Sequence, residues 1–168
     1  YVVALGSEAP MLLRPLGIDI PVYPVKGYAI TVDVADGESA PRSSVMDEHS
    51  KVMVTRLGNR VRAAGVAEIS GYDRAVDKHK AASVMHAARA LFPDAGDYGQ
   101  AAYWAGLRPM TPDGPPYLGA TPVRNLLLNL GQGSNGWTQA CGCGRIVADI
   151  VSGPASDIGL SGLMLAGR

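Results

Sequence analysis

The chain has 168 residues, enough for about one domain with a real core, and its composition is that of a globular protein. Its 15 basic side chains balance 15 acidic ones, so no net field draws nucleic acid or an anionic membrane surface. No signal peptide and no apolar run of about 18 residues is present, so the expectation is a chain that neither spans nor crosses a membrane.

The chain opens on YVVALGS without an initiator methionine, an apolar run that reads as a buried strand over 1–5 entered in mid-fold, as in part of a longer protein. A strand is expected over 22–34, interrupted at PVKG, where the alternation in YAITVDV suits a half-buried strand. After the loop ADGESAP, residues 45–71 offer two β-rich runs joined at LGN. Gly58 and Asn59 both tolerate positive φ there, so a hairpin and antiparallel pairing follow. The period then changes. Over 77–92, Ala81, Val84, Met85, Ala88, Leu91 and Phe92 fall on one helical face, and the helix stops before Pro93. AAYWAGLRP reads as a strand, MTPDGPPYLGAT as turns and NLLLNL as a buried strand. GWTQACGCGRIVADIVSG reads as a helix ended by Gly153 and Pro154. Strands around one long helix predict an α+β fold with a mixed, largely antiparallel sheet.

GQGSNG, residues 131–136, matches G-x-G-x-x-G between an apolar strand and a helix, the setting of a dinucleotide fingerprint. That fingerprint needs a further strand and an acidic residue about 20 positions on. Here Asp157 falls in a loop and Arg168 is the last residue, so a full dinucleotide fold starting at this point has no room to finish. Two readings stay open: glycines in a tight strand-to-helix turn, or bare backbone N–H groups and a positive helix end set against an electron-rich ligand. Cys141 and Cys143 sit two residues apart in CGCG, too close to staple a fold, which points to a reducing, cytoplasmic setting. They lack two further ligands at zinc spacing, so no metal is expected. His79 and His86 on the helix, and His49 in a strand region, read as surface or packing residues, and Asp47 and Glu48 form no evident acid pair.

GLRPMTPDGPPYLGAT followed by NLLLNLGQGSNGWTQACGCGRIVADIVSG resembles the C-terminal part of the FAD-dependent D-amino acid oxidase and dehydrogenase family, on the side of its bacterial dehydrogenases. VVALGS is similar to the family's last strand before the substrate region, PVYPVKGY to its returning strand, and VTRLGNRVRAAGVAEISGYD to its sheet over the flavin. The resemblance implies that 1–20 ends the FAD-binding domain, 21–110 is a substrate-binding sheet domain with its helix near 77–92, and 111–168 returns to the FAD-binding domain. It implies FAD as cofactor, a D-amino acid as substrate, and a quinone or similar electron acceptor. Association with the periphery of the inner membrane is compatible with it. The family's N-terminal βαβ, which holds the ADP half of FAD, does not precede Tyr1, so most of the FAD site is expected outside this chain, and the chain alone is expected to bind FAD weakly and to show little activity.

The arginine at this place in the family's motif binds the substrate carboxylate, a role that carries over to Arg108. Its planar fork stays charged, and Gly106 and Pro109 would hold its strand stiff. Pairing with Asp113 across the turn is the structural alternative. By the same resemblance Gly131, Gln132, Gly133, Ser134, Asn135, Gly136 and Trp137 face the flavin, although dehydrogenase-type members often carry His where Gln132 stands. Tyr28, and with less weight Tyr103 or Trp104, either wall the substrate pocket or belong to the core. No general base is assigned. Glycine or sarcosine oxidation, and a binding module without catalysis, are the competing readings.

Overall fold

The computed structural model describes residues 1–153 and 156–166. In chain order its main elements are β1 (Val2–Val3), α1 (Ala9–Leu13), β2 (Tyr23–Asp33), β3 (Val45–Asp47), β4 (Val52–Leu57), β5 (Arg60–Ile69), α2 (Lys78–Leu91), β6 (Ala102–Met110), β7 (Tyr117–Ala120), β8 (Leu127–Leu130) and α3 (Gly136–Ser152). The chain divides into a central unit, Val25–Leu107, and a flanking unit made of Tyr1–Pro24 and Arg108–Arg168.

The central unit is organised on a five-stranded sheet in the order β3-β4-β5-β2-β6, with β3-β4, β4-β5 and β5-β2 antiparallel. Leu57 pairs with Arg60, leaving Gly58 and Asn59 as a two-residue hairpin turn in which Gly58 alone takes positive φ, at 62°. The break expected at PVKG is absent from β2, which is continuous. The irregularity lies opposite, in β5: Lys26 pairs with Glu68 but Tyr28 with Gly65, and Val66 takes up the extra residue at φ 63°. A β-branched residue in that region is strained, and a bulge of this kind re-aims the side chains that follow it. His49 lies in the turn after β3, not in a strand, because the Asp47 carboxylate accepts the His49 N–H and the Ser50 hydroxyl and closes the chain there.

Helix α2 starts where its N-cap dictates: Asp77 Oδ1 accepts the N–H groups of His79 at 2.9 Å and Lys80 at 3.2 Å. Ala81, Val84 and Ala88 are buried with Ile30, Val32, Val54, Val61 and Ala63 in one core, whereas Leu91, expected on the same face, is 41% exposed at the helix end. Ile30 is 0% exposed, so Ile30→Ala should cost about 2–5 kcal/mol through lost burial and the cavity left behind. Trp104 fluorescence during urea unfolding measures that loss; one below about 1 kcal/mol would contradict the packing.

The flanking unit holds a three-stranded sheet, β1-β8-β7, in which β1 runs parallel and β7 antiparallel to β8. The stretch 117–120, expected as turn, is strand β7. Tyr117 packs with Leu13, Leu128 and Leu130, and Leu118 packs with Cys143, Ile146 and Val147 of α3. Burial of both faces outweighs the turn signal of the neighbouring prolines and of Gly119. Helix α3 closes at Gly153, at φ 92°, whose N–H reaches the Asp149 carbonyl at 2.9 Å. Pro154, the other expected stop, lies outside the described residues. Cys143 is buried as a small apolar side chain and Cys141 is exposed; both are free thiols.

Candidate active site

Arg108 stands near the end of β6, where the chain enters the flanking unit. It is half-buried, and burial draws its guanidinium below the ordinary arginine value while leaving it cationic at neutral pH. The next residue, Pro109, sets its ring 3.8 Å from where a Cβ on Gly6 would stand. The strand that carries the arginine is thereby seated on the first segment of the chain.

Two residues further on the strand becomes a mount. The Thr111 hydroxyl donates to the Pro115 carbonyl at 3.0 Å and accepts the Gly114 N–H at 3.1 Å, so a single side chain closes the Pro- and Gly-rich turn. Its methyl lies 2.7 Å from where a Cβ on Gly131 would stand, and the Met110 sulfur lies 3.0 Å from the equivalent point on Gly133. Gly131 and Gly133 take φ of 84° and 59°, a region that favours glycine. The residues just after Arg108 therefore rest directly on the glycine turn at the head of α3. Met110 and Thr111 lie inside the GLRPMTPDG motif without a residue type that marks this contact. A threonine three residues before a glycine is a local turn signal, whereas nothing in the sequence marks contact with a turn some twenty residues away.

The glycine turn presents a helix end without a side-chain cap. Asn135 occupies the N-cap of α3 and makes no capping bond with its side chain, and no acidic residue lies in the first turn. First-turn N–H groups and the positive end of a 17-residue helix are thus concentrated at Gly136. Ser134 and Asn135 are exposed, and Trp137 is 95% exposed. Gln132 turns its side chain to β8, its amide nitrogen donating to Asn129 Oδ1 at 2.6 Å.

Tyr28 is 1% exposed and lies in the same core cluster as Ala81, Val84 and Ala88 of α2, and its hydroxyl donates to Glu68 Oε2 at 2.6 Å. Glu68 also receives Lys80, at 2.7 Å, while Lys26 Nζ lies 2.8 Å from Asp73 Oδ2 and donates to the Ala75 carbonyl at 3.0 Å. The bulge at Val66 brings Glu68 into this network, which ties the loop between β5 and α2 to the sheet. Tyr103 reaches Met85 on α2, its hydroxyl 3.3 Å from the sulfur. The indole of Trp104 lies against Gly106, its nearest carbon 2.0 Å from where a Cβ would stand, with the Arg62 guanidinium 5.2 Å from the ring centre. His49, His79 and His86 are exposed, and among the described residues no group of three His, Cys, Asp or Glu is placed to hold a metal ion.

The network has a definite pH signature. Lys80 and the Tyr28 hydroxyl hold the Glu68 carboxyl below the usual range, and Lys26 does the same for Asp73; Asp73 in turn raises Lys26. Depressed carboxyls contribute stability that is complete above about pH 5 and fades as pH falls through the folded values; the raised lysine contributes stability complete below about pH 10 and lost above it. The melting temperature of the central unit is therefore expected to be flat between those limits. In Lys26→Met the overall stability drops, and the further fall between about pH 5 and 3 becomes shallower because Asp73 has lost its cation. An acid slope equal to that of the parent would sink this assignment.

The family model for FAD-dependent oxidoreductases matches residues 1–150. Among curated relatives, a D-amino acid dehydrogenase of Rhizorhabdus wittichii is 56% identical over 95% of this chain, and one of Xanthobacter autotrophicus is 51% identical over 99%. The chain spans 39% of the length of each of these relatives. The crystal structure of glycine oxidase from Geobacillus kaustophilus superposes with a TM-score of 0.86 at 30% identity, over 99% of this chain and 45% of that one. With the model matched over most of its length and the same fold in a solved oxidase, this chain belongs to the FAD-dependent oxidoreductase family.

Proposed function

We propose that this chain is the substrate-anchoring and flavin-facing part of a D-amino acid dehydrogenase, which oxidises D-amino acids to imino acids that hydrolyse to 2-oxo acids and ammonia. The electrons pass to a quinone or similar acceptor, on the cytoplasmic side and at the periphery of the inner membrane. Among the described residues no helix is long and apolar enough to cross a membrane. The observation that carries the reading is the mount: the last residue of the strand bearing Arg108 and the residue after it, Met110 and Thr111, rest on the glycine turn opening α3. The relatives' printed function supports the choice of substrate.

The residues fit a flavin. An uncapped helix end reached through glycines offers bare N–H groups to an electron-rich ring edge, and no side chain of the first turn brings negative charge against it. Bound FAD supplies the two-electron acceptor for the hydride lost from the substrate Cα. Arg108 holds the substrate carboxylate through its bidentate fork and so fixes Cα, and the mount keeps that anchor in register with the turn. Backbone N–H groups over 131–137 favour the extra negative charge at the ring edge facing them. A substrate amine that enters neutral needs no side-chain base, so no residue is given that task. Tyr28 supports the substrate-side sheet through its bond to Glu68. The relatives' greater length supports an FAD site completed by an N-terminal dinucleotide-binding segment, with weak FAD binding by this chain alone.

Glycine or sarcosine oxidation is the second reading, favoured by the likeness to glycine oxidase. A chimera tests both: this chain replaces the matched part of the Rhizorhabdus wittichii relative, the protein is loaded with FAD, and flavin bleaching is followed without oxygen. D-amino acids should bleach it faster than their L-enantiomers, glycine or sarcosine. Faster bleaching by glycine and sarcosine would transfer the assignment to amine oxidation, and bound flavin that no substrate bleaches would leave a binding module.

A further inference from the structure

We propose that Met110 is a positioning residue whose thioether sets the spacing between the carboxylate anchor and the flavin-facing turn. The inference rests on the role given above to Arg108. Met110 is two residues beyond Arg108 in β6, so the pleat sends both side chains to the same face of the strand. Its Sδ and Cε lie 3.0 and 3.5 Å from where a Cβ on Gly133 would stand. Thr111 makes the matching contact on Gly131, its methyl 2.7 Å from the corresponding point. Met110, the last residue of β6, and Thr111, which follows the strand, thus bear on alternate residues of one turn, and two bearings two residues apart resist both sliding and rocking, where one would permit a hinge.

The two bearings differ in kind. Thr111 is 6% exposed and its hydroxyl is committed to closing its own turn, so it cannot adjust. Met110 is only half-buried and has an unbranched, polarizable side chain that fills an irregular gap closely. It is the adjustable bearing, and its length determines how far the glycine turn stands from the strand of Arg108. Removing the sulfur leaves the anchor intact and lets the turn move. Because a misplacement of about 1 Å between reacting groups can cost about 10²-fold in rate, the loss belongs to hydride transfer and not to carboxylate binding.

The test is a double-mutant cycle in the FAD-loaded chimera, with Met110→Ala, Gly133→Ala and their combination. It is read by FAD dissociation constant, by the visible circular dichroism of the bound flavin and by the rate of flavin reduction. Met110→Ala should slow reduction roughly 10- to 100-fold while the affinity for a substrate carboxylate stays within about 3-fold. Met110→Leu, which keeps an atom near the sulfur position, should stay within about 3-fold of the parent. Gly133→Ala places a methyl against the sulfur and should weaken FAD binding; adding Met110→Ala should recover part of that loss. If Met110→Ala fails to fold, Met110→Val, which also lacks an atom at the sulfur position, takes its place in the cycle. Additive effects, or reduction at the parent rate in Met110→Ala, would overturn the proposal. If the cycle is non-additive but Arg108→Ala reduces flavin as fast as the parent, the packing role of Met110 stands and the carboxylate reading falls.

Discussion

In the FAD-loaded chimera, Arg108→Ala, which on the proposed role removes the carboxylate anchor, is expected to lower kcat/KM for carboxylated substrates by on the order of 10²- to 10³-fold, or about 3–4 kcal/mol of transition-state binding. Half-burial sets this size: a guanidinium already drawn from water forms a stronger pair than an exposed one. Arg108→Lys should fall between, since an ammonium keeps the charge but not the planar fork. The discriminating comparison is an amine of the same side chain lacking the carboxylate. Its slow turnover should be unchanged in both variants, and an equal loss for amine and amino acid would mean that the mutation had damaged the fold instead of removing an anchor.

Gly131→Ala should destabilise the flanking unit by about 2–4 kcal/mol, combining the strain of a left-handed alanine with an overpacked contact. The φ there is 84°, and the added methyl would meet the Thr111 methyl at 2.7 Å. Urea unfolding followed through Trp137, the tryptophan of this unit, measures the loss. Thr111→Ser in the same chain should recover part of it, because serine keeps the hydroxyl that closes the turn and removes the methyl that clashes. A Gly131→Ala protein as stable as the parent would show that the turn can move away from the strand, contrary to the mount.

The long periodic elements were legible from the chain. The face of α2 over Ala81, Val84 and Ala88, the Gly58-Asn59 hairpin and the glycine stop at Gly153 all follow from local chemistry, and they stand where such chemistry puts them. What escaped was set by partners distant in sequence. Strand β7 reads as turn because prolines precede it, and only burial of Tyr117 on one face and Leu118 on the other makes it a strand. The β5 bulge left no mark, since nothing local selects Val66 for a left-handed backbone. At the site, the turn glycines and Arg108 were legible as residue types, but the contacts joining them are made by Met110 and Thr111, whose identities are ordinary for a strand end.

The parallel pairing of Val2 and Val3 with Leu127 and Leu128 bears on the order in which the molecule can assemble. Every residue of the central unit is contiguous in the chain, and its hairpins can close as soon as they emerge, whereas the pairing of β1 with β8 must wait until Leu127–Leu130 has been made. Until Leu127 and Leu128 have been made, Val2 and Val3 lack the strand they pair with here, while the central unit folds between the two. That interval is the vulnerable one for this chain: aggregation should begin with β1, and slowing elongation anywhere before Leu128 should worsen it, whereas slowing after Leu128 should not.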